Sequence, residues 1–175
     1  MSAIVIDTNV LLVADGQGRQ MSDGCRIECE DRLRRVQMEE QVVLDFRWLI
    51  LSEYQNKLDA NRQPTPGSAF VKWVLQRNAM PQHVSWVSIT PTNTEETRFV
   101  EFPPDSALEA EFDPDDRKFI AAANAHTEKP PVLESADSKW LRWEPKLEVH
   151  GIRLEILCRR ELEAIRKRRG KRKKI

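Results

Sequence analysis

No stretch of this chain stays apolar for the roughly 20 residues a helix needs to cross a bilayer, so a membrane-spanning helix is not expected. The N-terminus has no basic region, apolar segment and small-residue cleavage site in series, so no secretory leader is expected either, and a cytoplasmic address follows. Cysteine is scarce. Cys25, Cys29 and Cys158 are an odd set, which argues against a disulfide framework and makes free thiols the expectation. Cys25 and Cys29 have the i, i+4 spacing that can hold zinc, but no pair of Cys or His follows at motif distance, so no zinc site is expected. His83, His126 and His150 share no local pattern, and surface or structural roles suit each. Phosphate-cradling glycines are also missing: "DGQGR" (15–19) is too short and follows no strand, which excludes a Rossmann or Walker loop.

Net charge is absent as well, since 28 Lys and Arg balance 28 Asp and Glu. That zero hides a division. Residues 166–175, "RKRRGKRKKI", hold eight of the basic side chains and no acid, so residues 1–165 carry a formal charge of −8. A basic tail attracts polyanions by releasing their counterions, nucleic acid above all, although a solvated end is the simpler reading. At 175 residues the chain fits a single core,. The expected organisation is therefore one domain over 1–165 and a basic tail over 166–175.

Periodicity alternates along the chain. "AIVI" (3–6), "QVVLDF" (41–46), "HVSWVSI" (83–89), "PPVLESA" (130–136) and "GIRLEIL" (151–157) read as strands, the last as an edge strand. Helical patterns fill the intervals: 8–13, 25–40 with Ile27, Leu33, Val36 and Met38 inward, 47–59, 68–80, and a segment beginning near Asp113. There Asp113 suits an N-cap, Pro114 the first helical position, and Asp115 and Asp116 the positive end of the dipole. "TRFVEF" is a candidate hairpin arm, "DSALEAEF" and "DSKWLRW" short helices, and "CRRELEAIRKRRG" a closing helix. Strands separated by helices predict an α/β class, a three-layer α/β/α sandwich around a central, mostly parallel sheet.

In such a sheet, function gathers outside the carboxyl ends of the strands. Asp7 follows the first strand and Asp137 the fourth. Asp116 shares a helix face with Phe119, Ile120 and Ala123, so it points with the apolar stripe while Asp115 looks outward. Glu53 has Leu49 and Ile50 one turn back. Each acid has a plainer use: Asp7 and Asp137 as helix caps, Asp115 and Asp116 as first-turn acids, Glu53 in an i, i+4 pair with Lys57. Together they suggest more, because like charges gathered at a buried edge are costly unless cations neutralise them. Trp140 and Trp143, at helical spacing, suit core packing better than base stacking.

The ordered set "IVIDTNVLL", "LSEYQNKL", "DDRKFIAAANAH" and "VLESADSKWL" resembles the PIN-domain nucleases, a family that includes many bacterial toxin ribonucleases. The four blocks span residues 4–141 in the family's order. The resemblance implies a PIN-like fold and a metal-dependent endoribonuclease. Asp7, Glu53, Asp116 and Asp137 would hold Mg²⁺ or Mn²⁺, with Thr8, Asn9, Asp115 and Ser138 in support. Backbone contacts to RNA would fall to Arg117, Lys118 and Lys139, and in the tail to Arg168, Arg169, Lys171 and Arg172. A cognate antitoxin and a homodimer are further implied partners. One departure is plain: Lys139 stands where many members carry a second acid, so a second cation position is not carried over. The rival expectation is a non-cleaving module that binds RNA or a protein and is anchored by its tail.

Overall fold

The computed structural model describes residues 1–18, 20–58 and 64–172. Its centre is a five-stranded sheet of β1 (Ser2–Ile6), β2 (Glu40–Asp45), β3 (Val84–Val87), β4 (Val132–Glu134) and β5 (Leu154–Ile156). The order is β3-β2-β1-β4-β5, with every neighbouring pair parallel. The central strands are continuously apolar because both faces are covered: Ile4, Val5, Ile6, Val42, Val43, Leu44, Val132 and Leu133 are all sealed from solvent,. The expected α/β sandwich is therefore the observed one, with its sheet wholly parallel.

Right-handed crossovers decide which helices lie where. From β1 the chain moves outward to β2 and β3 through α1 (Thr8–Ala14), α2 (Asp23–Glu39), α3 (Leu49–Lys57) and α4 (Pro66–Arg77) on one face. It then returns past β1 to β4 and β5 through α5 (Ser106–Glu111), α6 (Arg117–Ala125) and α7 (Trp140–Val149) on the other. The chain reverses direction between β1 and β4, so the ends of those two strands flank the switch point. α8 (Arg159–Arg172) closes the chain and carries much of the basic segment. No helix among the described residues is long and apolar enough to cross a membrane.

Local chemistry explains several boundaries. Pro66 occupies the first turn of α4, where its missing N–H is no loss,. α4 begins against α1 so closely that a Cβ on Gly67 would stand 2.3 Å from Leu11 O. α3 starts after Trp48, which has φ +64°, and both carboxylate oxygens of buried Asp45 accept N–H groups of Leu49 and Ile50 at 2.9 Å,. The hairpin arm expected near "TRFVEF" is reduced to a single antiparallel bridge between Pro91 and Phe99. Trp140 and Trp143 are core residues, with Trp143 stacked on Phe112 at 3.9 Å between ring centroids. Asp59, the last residue of the expected 47–59 helix, residues 60–63 after it, and Arg19 lie outside the described residues.

Two expectations are corrected. The buried stripe of α2 is Cys25, Cys29, Arg32, Leu33 and Val36, whereas Ile27 and Met38 face solvent. Arg32 is stable inside because it donates to both carboxylates that flank it, Glu40 of β2 and Glu155 of β5, contacts invisible to helical periodicity,. The cysteines are not three free thiols either: Cys25 and Cys158 form a disulfide across 133 positions, and Cys29 is free and buried. An odd count excludes full pairing, not one bond.

Candidate metal centre

The ends of β1 and β4 deliver the first acids. Asp7 N–H continues the sheet ladder to Leu133 O at 2.9 Å, which fixes the backbone at the point where the Asp7 side chain leaves the strand. Asn9 then clamps that carboxylate, its Nδ2 donating to Oδ2 at 3.2 Å and its N–H to Oδ1 at 3.4 Å. After β4, Ala136 adopts φ +76°, a left-handed conformation uncommon outside glycine and asparagine,. That turn lets Asp137 N–H donate to Glu134 Oε1 at 2.8 Å, while Asp137 Oδ1 accepts Lys139 N–H at 2.9 Å. Ser138 is buried beside it.

Two further elements close the ring. A 3-10 turn, Pro114–Asp116, precedes α6 and brings Asp113 and Asp116 to the same place as Asp137. One carboxylate oxygen from each of the three lies within 4.8 Å of the others. From α3, Glu53 accepts Thr8 Oγ1–H at 2.6 Å and pairs with Lys118 Nζ at 2.5 Å. Lys118 also donates to Asp115 O, and Tyr54 Oη donates to Ile6 O at 2.5 Å, tying α3 to β1. The result is a cavity of about 440 Å³ lined by Asp7, Thr8, Asn9, Glu53, Asp116 and Asp137, with Asp113 and exposed Asp115 at its rim.

The electrostatics follow from crowding. Burial, then the neighbouring Asp7 charge, pushes the Asp116 carboxyl up to about 8,. Asp7 and Glu134, both buried and in mutual contact, are held above the usual carboxylate range by desolvation first. Lys118 answers Glu53, and Lys139 bridges Asp113 and, at 3.8 Å, Asp137 Oδ2.

The donor set is therefore all oxygen, and Glu134 Oε2 is buried with no amide or hydroxyl donor among the described residues. Carboxylate donors that converge on a solvent-reaching cavity fit a hard divalent cation, which takes oxygen ligands at about 2.0–2.6 Å. Asp113, Asp116 and Asp137 carry oxygens close enough together to share one, and Asp7 lines the same cavity.

The structure brings Asp7, Glu53, Asp116 and Asp137 together as the sequence suggested, and Thr8 and Asn9 with them. It corrects Arg117. That guanidinium is buried and donates to the carbonyls of Thr97, Glu109 and Phe112, so it faces the core rather than a phosphate. Lys118 is at the site but committed to Glu53 and largely buried. Lys139 lies at the rim, and beyond it a second cavity is lined by Gln17, Gln20, Asp137, Lys139 and Arg169. Arg169 there donates to Gln20 Oε1 at 2.9 Å, and Arg168 is exposed on the same helix. The side chains of Lys171 and Arg172 lie outside the described residues.

Two acids escape sequence reasoning. Asp113 suits a cap by its position, yet it makes no capping bond and turns its carboxylate to the cluster. Glu134 reads as part of a strand; a lone acid inside "VLES" is the available signal, since an unpaired charge in a buried strand is costly.

No family model matches the chain, and no curated protein matches it. Among solved structures it is similar to the VapBC2 complex of Rickettsia felis bound to a DNA fragment from its promoter. The identity is 12%, 89% of this chain and 98% of that one are covered, and the TM-score is 0.42. A likeness of that extent carries no functional argument, and the site stands on its own geometry.

Proposed function

We propose that the protein is a divalent-metal-dependent endoribonuclease of the PIN type. The observation that supports this reading best is the convergence of Asp7, Glu53, Asp116 and Asp137, from four separate elements, on one cavity at the sheet's switch point,. Asp7, Asp116 and Asp137, with Asp113 beside them, would hold Mg²⁺ or Mn²⁺. When bound, such a cation supplies Lewis-acid activation of water and charge to offset the phosphate. Glu53 orients the attacking water, and its ion pair with Lys118 holds the carboxylate in place for that task. Thr8 and Asn9 fix the rotamers of Glu53 and Asp7. Lys139 and Arg169 meet the substrate backbone along the second cavity, which shares Asp137 with the first. The products are a 5′-phosphate and a 3′-hydroxyl. A cognate antitoxin and a second copy of the chain belong to the same proposal as partners, on the strength of the sequence resemblance.

One observation favours the non-cleaving alternative: Lys118 and Lys139 already neutralise Glu53 and Asp113, as internal cations do in a site that binds no metal. The experiment is direct. Purified protein is incubated with structured and unstructured RNA plus Mn²⁺ or Mg²⁺, with and without EDTA, beside Asp7→Asn. Cation-dependent cutting that the variant lacks supports the nuclease. RNA binding without cutting by either protein supports the module.

A further inference from the structure

A second cluster of metal-ligating side chains lies away from the acids, and its ligands are soft. Cys25 and Cys29 occupy successive turns on the buried face of α2, and Cys158 ends the turn between β5 and α8. Ser135, which follows β4, stands among them, with Oγ 3.7 Å from Cys25 Sγ and 3.5 Å from Cys29 Sγ. All three sulfurs lie within 4.8 Å of one another. A disulfide accounts for two of them. It gives no reason for a third inside the same few ångströms, drawn to the spot by the i, i+4 spacing of α2. A buried thiol packs as a small apolar group wherever it stands; the significant fact is its company.

We propose that Cys25, Cys29 and Cys158 form a zinc site when the disulfide is reduced, so that the protein passes between a disulfide-closed and a zinc-loaded state. In the first step two thiols of an external reductant join as a disulfide, and their two electrons and two protons convert the Cys25–Cys158 bond into two thiols. In the second, Zn²⁺ displaces one proton from each of the three thiols, leaving three Zn–S bonds and a net charge of −1. Tetrahedral Zn–S bonds of about 2.3 Å space their sulfurs about 3.8 Å apart, within the span already observed. The fourth position opens on a cavity lined by Ser22, Glu28, Arg159 and Arg160 as well as Cys25 and Cys158, and a water from it completes the tetrahedron. Glu28 Oε1 accepts Cys158 N–H at 3.2 Å and so holds the backbone that presents the third thiolate,. Without a cation, burial keeps the Cys29 thiol protonated and unreactive toward the adjacent disulfide,. Thiolate donors select Zn²⁺ over Mg²⁺, so the two sites do not compete for one ion.

The test uses the full-length protein, reduced with a phosphine and titrated with Zn²⁺ against a chromophoric chelator, with Co²⁺ as a spectroscopic probe in parallel. The expected result is one tight Zn²⁺ per chain, a thiolate-to-Co²⁺ charge-transfer band, and binding at least about 100-fold weaker after reoxidation. Zinc is also expected to protect all three cysteines together from alkylation. Cys29→Ser leaves the disulfide pair intact and is expected to weaken the reduced-state affinity at least about tenfold. Asp7→Asn is expected to retain the zinc, which separates this site from the carboxylate cavity. If the reduced, metal-free chain loses its far-UV circular dichroism, zinc is expected to restore it. Equal affinity for wild type and Cys29→Ser, equal affinity in both redox states, or alkylation undiminished by zinc each overturns the proposal and leaves a structural disulfide beside an inert thiol.

Discussion

Reducing the Cys25–Cys158 bond should cost this domain a large part of its stability. The bond closes a loop of 133 positions between α2 and the start of α8. In the chain-entropy account a loop of that length restricts the unfolded ensemble by about 5 kcal/mol, comparable to the low end of total domain stability, about 5–15 kcal/mol. At about 2–4 °C per kcal/mol for a domain of this size, the melting temperature should fall by about 10–20 °C. The assay is a thermal melt by circular dichroism of oxidised and phosphine-reduced protein, with a chelator present so that no adventitious zinc restores the link. Cys158→Ser should melt with the reduced form and be insensitive to reductant. Cys29→Ala, which deletes a buried sulfur but not the bond, should melt somewhat lower than wild type in both states and keep the same difference between them. Oxidised and reduced melts within about 2 °C of each other would refute the reasoning, because a loop so long cannot be released without a measurable entropic change.

Four other outcomes are expected. Mn²⁺ at a hundredfold excess over its dissociation constant should stabilise the fold by about 2.7 kcal/mol, a shift of about 5–11 °C, and Asp7→Asn should abolish both that shift and RNA cutting. In the cation-free protein Asp116, raised from 3.8 to about 8, retains in the native state a proton that the unfolded chain has released. Stability should therefore fall as pH rises across that interval, and Asp116→Asn should flatten the slope in urea titrations. Arg117→Ala strips three backbone carbonyls of a buried donor and should cost about 2–3 kcal/mol while leaving the RNA affinity of the folded fraction unchanged. Deleting 166–175 should weaken RNA binding and lower the slope of log affinity against log salt by about 0.7 for each phosphate no longer neutralised, with cleavage of a short saturating oligonucleotide intact; an unaltered slope would assign substrate binding elsewhere.

The architecture is legible in the sequence because its signals are local. Strands buried on both faces read as unbroken β-branched runs, and Pro114 or the acids around it mark a helix start whatever the rest of the chain does. The four acids are legible for a related reason: Asp7 and Asp137 follow apolar strands, Asp116 shares a face with Phe119 and Ile120, and Glu53 has Leu49 and Ile50 one turn back. What escapes is decided by partners distant in sequence. Arg32 is inside because Glu155 of β5 meets it across 123 positions, and no helical wheel contains that residue. Arg117 looks like a surface cation until the carbonyls of residues 97, 109 and 112 claim it. The disulfide is hidden in the same way, since spacing along α2 shows Cys25 and Cys29 and says nothing of where β5 ends. Glu134 is concealed because a strand pattern tolerates one polar residue without asking what satisfies it.

An acidic body must still admit a polyanion if the proposed chemistry is to occur, and the distribution of charge suggests how. Residues 1–165 carry −8, and the acidic cavity adds its own repulsion at close range, so a phosphate approaching over most of the surface is repelled before it meets any attraction,. Along α8 the sign reverses. Arg169 on that helix and Lys139 at the rim line one cavity, and Asp137 lies in the wall of both that cavity and the acidic one. A strand whose phosphates follow the cations is thereby delivered to the carboxylates from a single side, with the counterions it releases supplying the driving force. In that scheme Lys139 holds Asp113 and Asp137 apart from each other's charge and presents a positive group to an approaching phosphate.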